Sequence, residues 1–222
     1  MNVKPWNEDL KHLKEIILKK DKIEETKDLF LSLHSKVHSQ QMSGIGEKTF
    51  EDELWEGIDE NKFKKGTNEK GRTVAYGMWH CTRIEDITMN ILVNEGNQVL
   101  NTGSWEDKIG ATITDTGNTL NKEEILEFSK TINMEELRKY RIAVGRATRD
   151  IVKNLEAEDM RRRFSESQLQ RIIDEGAVLD LEGSRWLVDF WGKKNVAGIL
   201  LMPCTRHHMV HLNESLRAKK KG

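Results

Sequence analysis

Disulfides, membrane spans and a charge of one sign are all missing from this 222-residue sequence. Its 2 cysteines, Cys81 and Cys204, cannot form a disulfide framework and no secretory signal precedes them. Reduced thiols and a cytoplasmic location are expected. The longest apolar run, Val196 to Met202, is interrupted by Gly198 and falls well short of the ~20 residues of a membrane span. Lys and Arg number 36 against 37 Asp and Glu, a formal net charge of -1. That balance offers no general attraction for nucleic acid or an acidic membrane, so neither is expected as a partner. The basic runs Arg161-Arg162-Arg163 and Lys219-Lys220-Lys221 read as solvated helix surface and, over residues 218–222, a frayed tail. Ser43-Gly44-Ile45-Gly46-Glu47-Lys48 lacks the Walker spacing and reads as a turn. There is no Gly-x-Ser-x-Gly elbow and no paired-cysteine zinc motif.

With only 2 prolines and almost no period-2 alternation, strands have little support. Hydrophobic residues at 36% and charged residues at 33% give a helix-type composition. Helical spacing of apolar residues predicts four long helices at about 24–41, 73–94, 134–155 and 195–217, and a leading helix within residues 1–21. Shorter helices fall between them, capped by Thr49 and Asn121, with Ser165 and Ser167 flanking the start of another, and Asn133 caps the third long helix. Residues 61–71 read as a loop. The expected fold is all-α, a four-helix bundle with short helical insertions, forming one domain over 1–222.

Histidine carries the chemistry. Three of the 7 His, His207, His208 and His211, lie within five consecutive residues. On a helix, His207 and His211 stand one turn apart on one face, where a single metal ion can bind both imidazoles. His80 lies within the apolar stripe Gly77, His80, Ile84, Ile87 and Ile91 of the second long helix. A third nitrogen from there would complete a site with a position left open. Core packing is the competing reading of each His. His208 points off this axis and reads as surface or as support behind a ligand. His34 and His38 form a rival pair at the boundary of their helix, and His12 reads as surface. Cys204 is either a fourth ligand that closes the site or a small buried hydrophobe. Glu85, Asp86 and Glu214 either orient ligands or are simply solvated, and Arg83 pairs with one of them. Pro203 either kinks the fourth helix, opening a cleft between it and Trp186 to Trp191, or starts a fresh helix and opens nothing.

The block Trp79-His80-Cys81-Thr82-Arg83-Ile84-Glu85-Asp86, followed far downstream by His207-His208-Met209-Val210-His211-Leu212-Asn213-Glu214, resembles the DinB-like (YfiT-like) superfamily of metal-binding four-helix bundles. The resemblance implies one divalent metal on His80, His207 and His211, zinc or nickel before iron or manganese, with an open position. Some members look like thiol-dependent S-transferases using low-molecular-weight thiols, and others are similar to hydrolases. Insertions at about 96–120 and 156–192 depart from the compact members and would either cover the metal or extend the core.

Two functions are expected in turn. One is a metal-dependent enzyme acting on a small molecule, in which the ion lowers the pKa of a bound water or thiol. The other is a non-catalytic metal-binding structural or stress-response protein. The aromatic segment Trp186-Leu187-Val188-Asp189-Phe190-Trp191 serves either core packing or a homodimer interface.

Overall fold

Helix starts are set by side-chain oxygens that accept the otherwise unpaired N–H groups of a first turn. Thr49 Oγ1 accepts from Asp52 N while the Asp52 carboxylate accepts from Thr49 N. The pairs Asn121–Glu124 and Ser165–Gln168 repeat that box, and Asn133 accepts from Glu136 N. The structure, a computed structural model, describes residues 2–221 and is all-helical, with no strand among them. One isolated antiparallel bridge joins Arg163 to Asn195.

Helix α1 spans Lys4–Ile16, with Pro5 in its first turn, where its missing N–H costs nothing. It buries Trp6, Leu13 and Ile16 against α2 (Ile23–Val37), and Trp6 Nε1 donates to the Leu33 carbonyl. Three short helices come next: α3 (Gln40–Ser43), α4 (Phe50–Trp55) and α5 (Glu60–Lys64). The helix expected to run to 41 therefore stops at Val37. His38 turns extended, and Arg141 takes the Val37 carbonyl at 2.8 Å. The stretch 61–71, expected as a loop, begins inside α5, whose start Asp59 caps.

Helix α6 (Val74–Asp86) runs directly into π-helical turns over Ile87–Val93. Every residue of both segments is buried, so the single apolar stripe expected here is replaced by burial on all sides. The polar residues are tolerated because they are bonded. Arg83 donates to Asp86, Tyr140, Gln98 and the Thr114 carbonyl, and Asp86 accepts from the Val99 and Leu100 amides. The 96–120 insertion, carrying α7 (Trp105–Ile109), is thus fastened to α6 and covers it.

Helices α8 (Lys122–Thr131) and α9 (Met134–Lys153) precede α10 (Glu166–Asp174) and α11 (Glu182–Gly192). Helix α12 (Val196–Leu201) passes through a π-helical segment, Met202–Arg206, into α13 (His207–Lys221). The long segments pack in a cycle, α2 on α9, α9 on α6, α6 on α13 and α13 on α2. One hydrophobic core extends from Trp6 to Ala218. No helix among the described residues is long and apolar enough to cross a membrane. The basic tail is not frayed through Lys221: it continues α13, and Lys219 Nζ donates to the Glu53, Leu54 and Glu56 carbonyls. Gly222 and Met1 lie outside the described residues.

Candidate metal centre

Gly77 sets the spacing of the two helices that matter most. A Cβ there would sit 2.6 Å from Ser215 Oγ, so α6 and α13 approach more closely than a larger residue permits. That brings His80, one turn along α6, against His207 and His211, one turn apart on α13. Ring centroids are 5.2 Å (His80–His207), 4.8 Å (His80–His211) and 4.5 Å (His207–His211). One ligand nitrogen from each lies within 4.8 Å of the others. All three residues singled out from the sequence are brought together.

Two of the three rings meet polar groups from behind, while His207 Nδ1 has no hydrogen-bond partner among the described residues. His80 Nδ1 donates to the Thr116 carbonyl at 2.7 Å, which leaves Nε2 as the lone-pair nitrogen. Tyr76 stacks on the His80 ring at 5.5 Å. His211 Nδ1 stands 3.3 Å from Glu214 Oε2, although the two are out of line for a full hydrogen bond. Glu214 is 4% exposed and is itself bound by Lys70 and Arg72, so the expected orienting role fits it and the solvated one does not. Burial would raise its pKa, but the His211 ring, Lys70 and Arg72 together hold the carboxyl well below its usual range. Burial, with the neighbouring imidazoles, pushes His207 well down and His80 down to about 3. Neutral imidazole is the ligating form, so this donor set suits a divalent ion.

The site opens on one side. A pocket of about 280 Å³ is lined by His80, His207, Asn118, Trp186, Phe190 and Pro203, among others. It lies between α11 and the π-helical segment at Pro203, where the kink reading placed a cleft. Thr205 Oγ1 donates to the Leu200 and Leu201 carbonyls and covers acceptors in that widened turn. Cys204 is fully buried, its thiol is pushed well up by burial, and it stands outside the histidine cluster.

Four sequence readings need correction. His34 and His38 are not boundary residues, and His208 is not at the surface: all three are fully buried. Glu85 is also fully buried, not solvated. His34 Nε2 lies 2.8 Å from Glu85 Oε1, and His38 Nε2 lies 3.0 Å from Glu85 Oε2. His208 Nε2 lies 2.7 Å from the same carboxylate. Sequence reasoning missed this second cluster, though the i,i+4 pair His34–His38 was its visible signal. Arg83 does pair with Asp86, and His12, half exposed, contacts Glu25.

So many neutral buried imidazoles make the metal-free protein acid-sensitive. Burial lowers His80 to about 3 and His208 to about 4, against roughly 6.5 in an unfolded chain. Folded pKa values below the unfolded ones give stability that is present above about pH 6.5 and lost as pH falls toward the folded values. By pH 4 each of the two removes roughly 3 kcal/mol. Denaturant unfolding with chelator present, at pH 7, 6, 5 and 4, is expected to show stability falling at every step. A flat profile from pH 7 to 5 would refute neutral burial.

Comparison with protein-family models and with curated proteins yields no match for this chain.

Proposed function

We propose that the chain is a DinB-like four-helix bundle whose His80, His207 and His211 hold one divalent ion. The ion serves a metal-dependent enzyme acting on a small molecule, of the thiol-dependent S-transferase or hydrolase type. The observation that carries this reading is the apolar pocket running to His80 and His207. The packing cycle of α2, α9, α6 and α13 supports the bundle assignment. A fourth protein ligand would favour the structural alternative, and Cys204, the candidate for it, is outside the cluster.

Three imidazoles with a position left open suit zinc or nickel, and such an ion supplies Lewis-acid activation of a nucleophile at neutral pH. The chain's own residues do the rest. Thr116 fixes the His80 tautomer, and Glu214 steadies His211. Trp186, Phe190, Trp191 and Pro203 wall off an apolar substrate from water, and Asn118 offers an amide to its polar end. Neither protein thiol can act as nucleophile. Both are fully buried, and Cys81 is pushed up to about 11 by that burial. The nucleophile therefore comes from outside, as water or a low-molecular-weight thiol.

Turnover is expected when zinc- or nickel-loaded protein meets small apolar electrophiles with a thiol, or small esters and amides without one. His207→Ala is expected to abolish it. Protein that keeps its open-site ion yet turns over nothing in either panel would leave the non-catalytic alternative standing.

A further inference from the structure

Behind the open site, on the side of α6 that faces α2, the chain gathers a second set of metal-type donors. His34 and His38 stand one turn apart on and just beyond α2, and Glu85 faces them from α6. One ligand atom from each lies within 4.8 Å of the others, and all three side chains are fully buried. We propose that His34, His38 and Glu85 hold a second divalent first-row metal ion, enclosed by the fold.

Three observations carry this. First, Glu85 faces imidazoles alone. The nearby guanidinium, Arg141, binds Glu51 at 2.7 Å, and no Lys or Arg forms an ion pair with Glu85 among the described residues. A fully buried carboxylate needs a compensating cation close by. Second, a neutral His38 is poorly matched to both of its carboxylate neighbours at once. If His38 donates from Nε2 to Glu85, its Nδ1 lone pair faces the buried Glu51 carboxylate at 4.0 Å, a repulsive contact. With Nε2 on a metal, Nδ1 carries the proton and the same contact becomes attractive, as ligating histidines usually arrange it. Third, His208 backs the carboxylate. Its Nδ1 accepts from Arg141 at 3.1 Å, which leaves Nε2 protonated 2.7 Å from Glu85 Oε2, yet the two are out of line for a hydrogen bond.

Two nitrogens and a carboxylate oxygen match zinc or iron(II). Ligand atoms around such an ion at about 2.0–2.1 Å stand roughly 3.4 Å apart, so the 2.8 and 3.0 Å contacts widen slightly on loading. All three side chains are fully buried, so the ion enters as the chain folds. Release is correspondingly slow, unlike that from the open site.

The experiment measures metal per chain in protein produced with added Zn²⁺, then follows its loss to a chelator. A doubly substituted His207→Ala, His211→Ala variant is expected to keep one slowly released ion per chain. His38→Gln is expected to lose that slow ion and keep the fast one. Should His38→Gln fail to fold, the double variant and the release kinetics of the unsubstituted protein decide. A double variant holding no zinc while folded, or unsubstituted protein releasing all its zinc in one fast phase, overturns the second site. Neither result bears on the open site.

Discussion

Replacing His207 or His211 with Ala is expected to weaken binding of the fast-exchanging ion by more than about a hundredfold, beyond the 10–100-fold typical of losing a supporting residue. The reason is geometric. The two imidazoles lie on one face of α13 with centroids 4.5 Å apart, and Cys204, the other ligand candidate, is outside the cluster. A ligand present at a thousand times its Kd stabilises a folded protein by about 4 kcal/mol. That increment is therefore expected in the unsubstituted protein and is expected to fall to about 1.4 kcal/mol or less in both variants. Equilibrium dialysis reads the affinity and chelator-controlled unfolding reads the stability. Either variant retaining both the ion and the increment would place the ligands elsewhere.

Arg141→Met is expected to cost about 3–5 kcal/mol, the usual effect of breaking a buried ion pair from one side. Arg141 is fully buried on α9 and donates to Glu51, Cys81, Thr82, the Val37 carbonyl and His208. It thereby joins α2, α4, α6 and α13. In a protein of this size the loss lowers Tm by about 10 °C. Much of it arises because Glu51 is left as an uncompensated buried charge. Arg141→Met combined with Glu51→Met is therefore expected to be more stable than Arg141→Met alone. Calorimetry on the two variants separates charge from packing: if the double variant is the less stable, the bridging bonds of Arg141 dominate.

Local signals were legible in the sequence, and signals set by distant neighbours were not. The caps at Thr49, Asn121 and Asn133 are local, and all three form as expected. The triad was legible too, because His-x-x-x-His needs only a helix and His80 sits among apolar neighbours. The Glu85 cluster was not. A helical wheel assigns each helix one buried face, and by that rule a Glu or a paired His beside the stripe belongs to the boundary. Helix α6 instead has neighbours on every side, including the 96–120 insertion, and nothing in its own spacing reports that. The end of α2 at Val37 was equally hidden, since its carbonyl is taken by Arg141, 104 positions downstream.

The widened turn over Met202–Arg206 also constrains how this chain can change in length. Each residue of a helix advances its face by about 100°, so a π-helical turn inserts a phase step between α12 and α13. Upstream, Val196, Ile199 and Leu200 face the core; downstream, His207 looks toward the pocket while His208 looks toward Glu85. The wide turn absorbs one extra residue with little rotation, whereas a deletion within α12 would rotate one half against the other by about 100°. Either the apolar face or both sets of histidines would then miss their partners. Insertions and deletions are expected to be tolerated around the exposed residues 179–181, and to be excluded within α12.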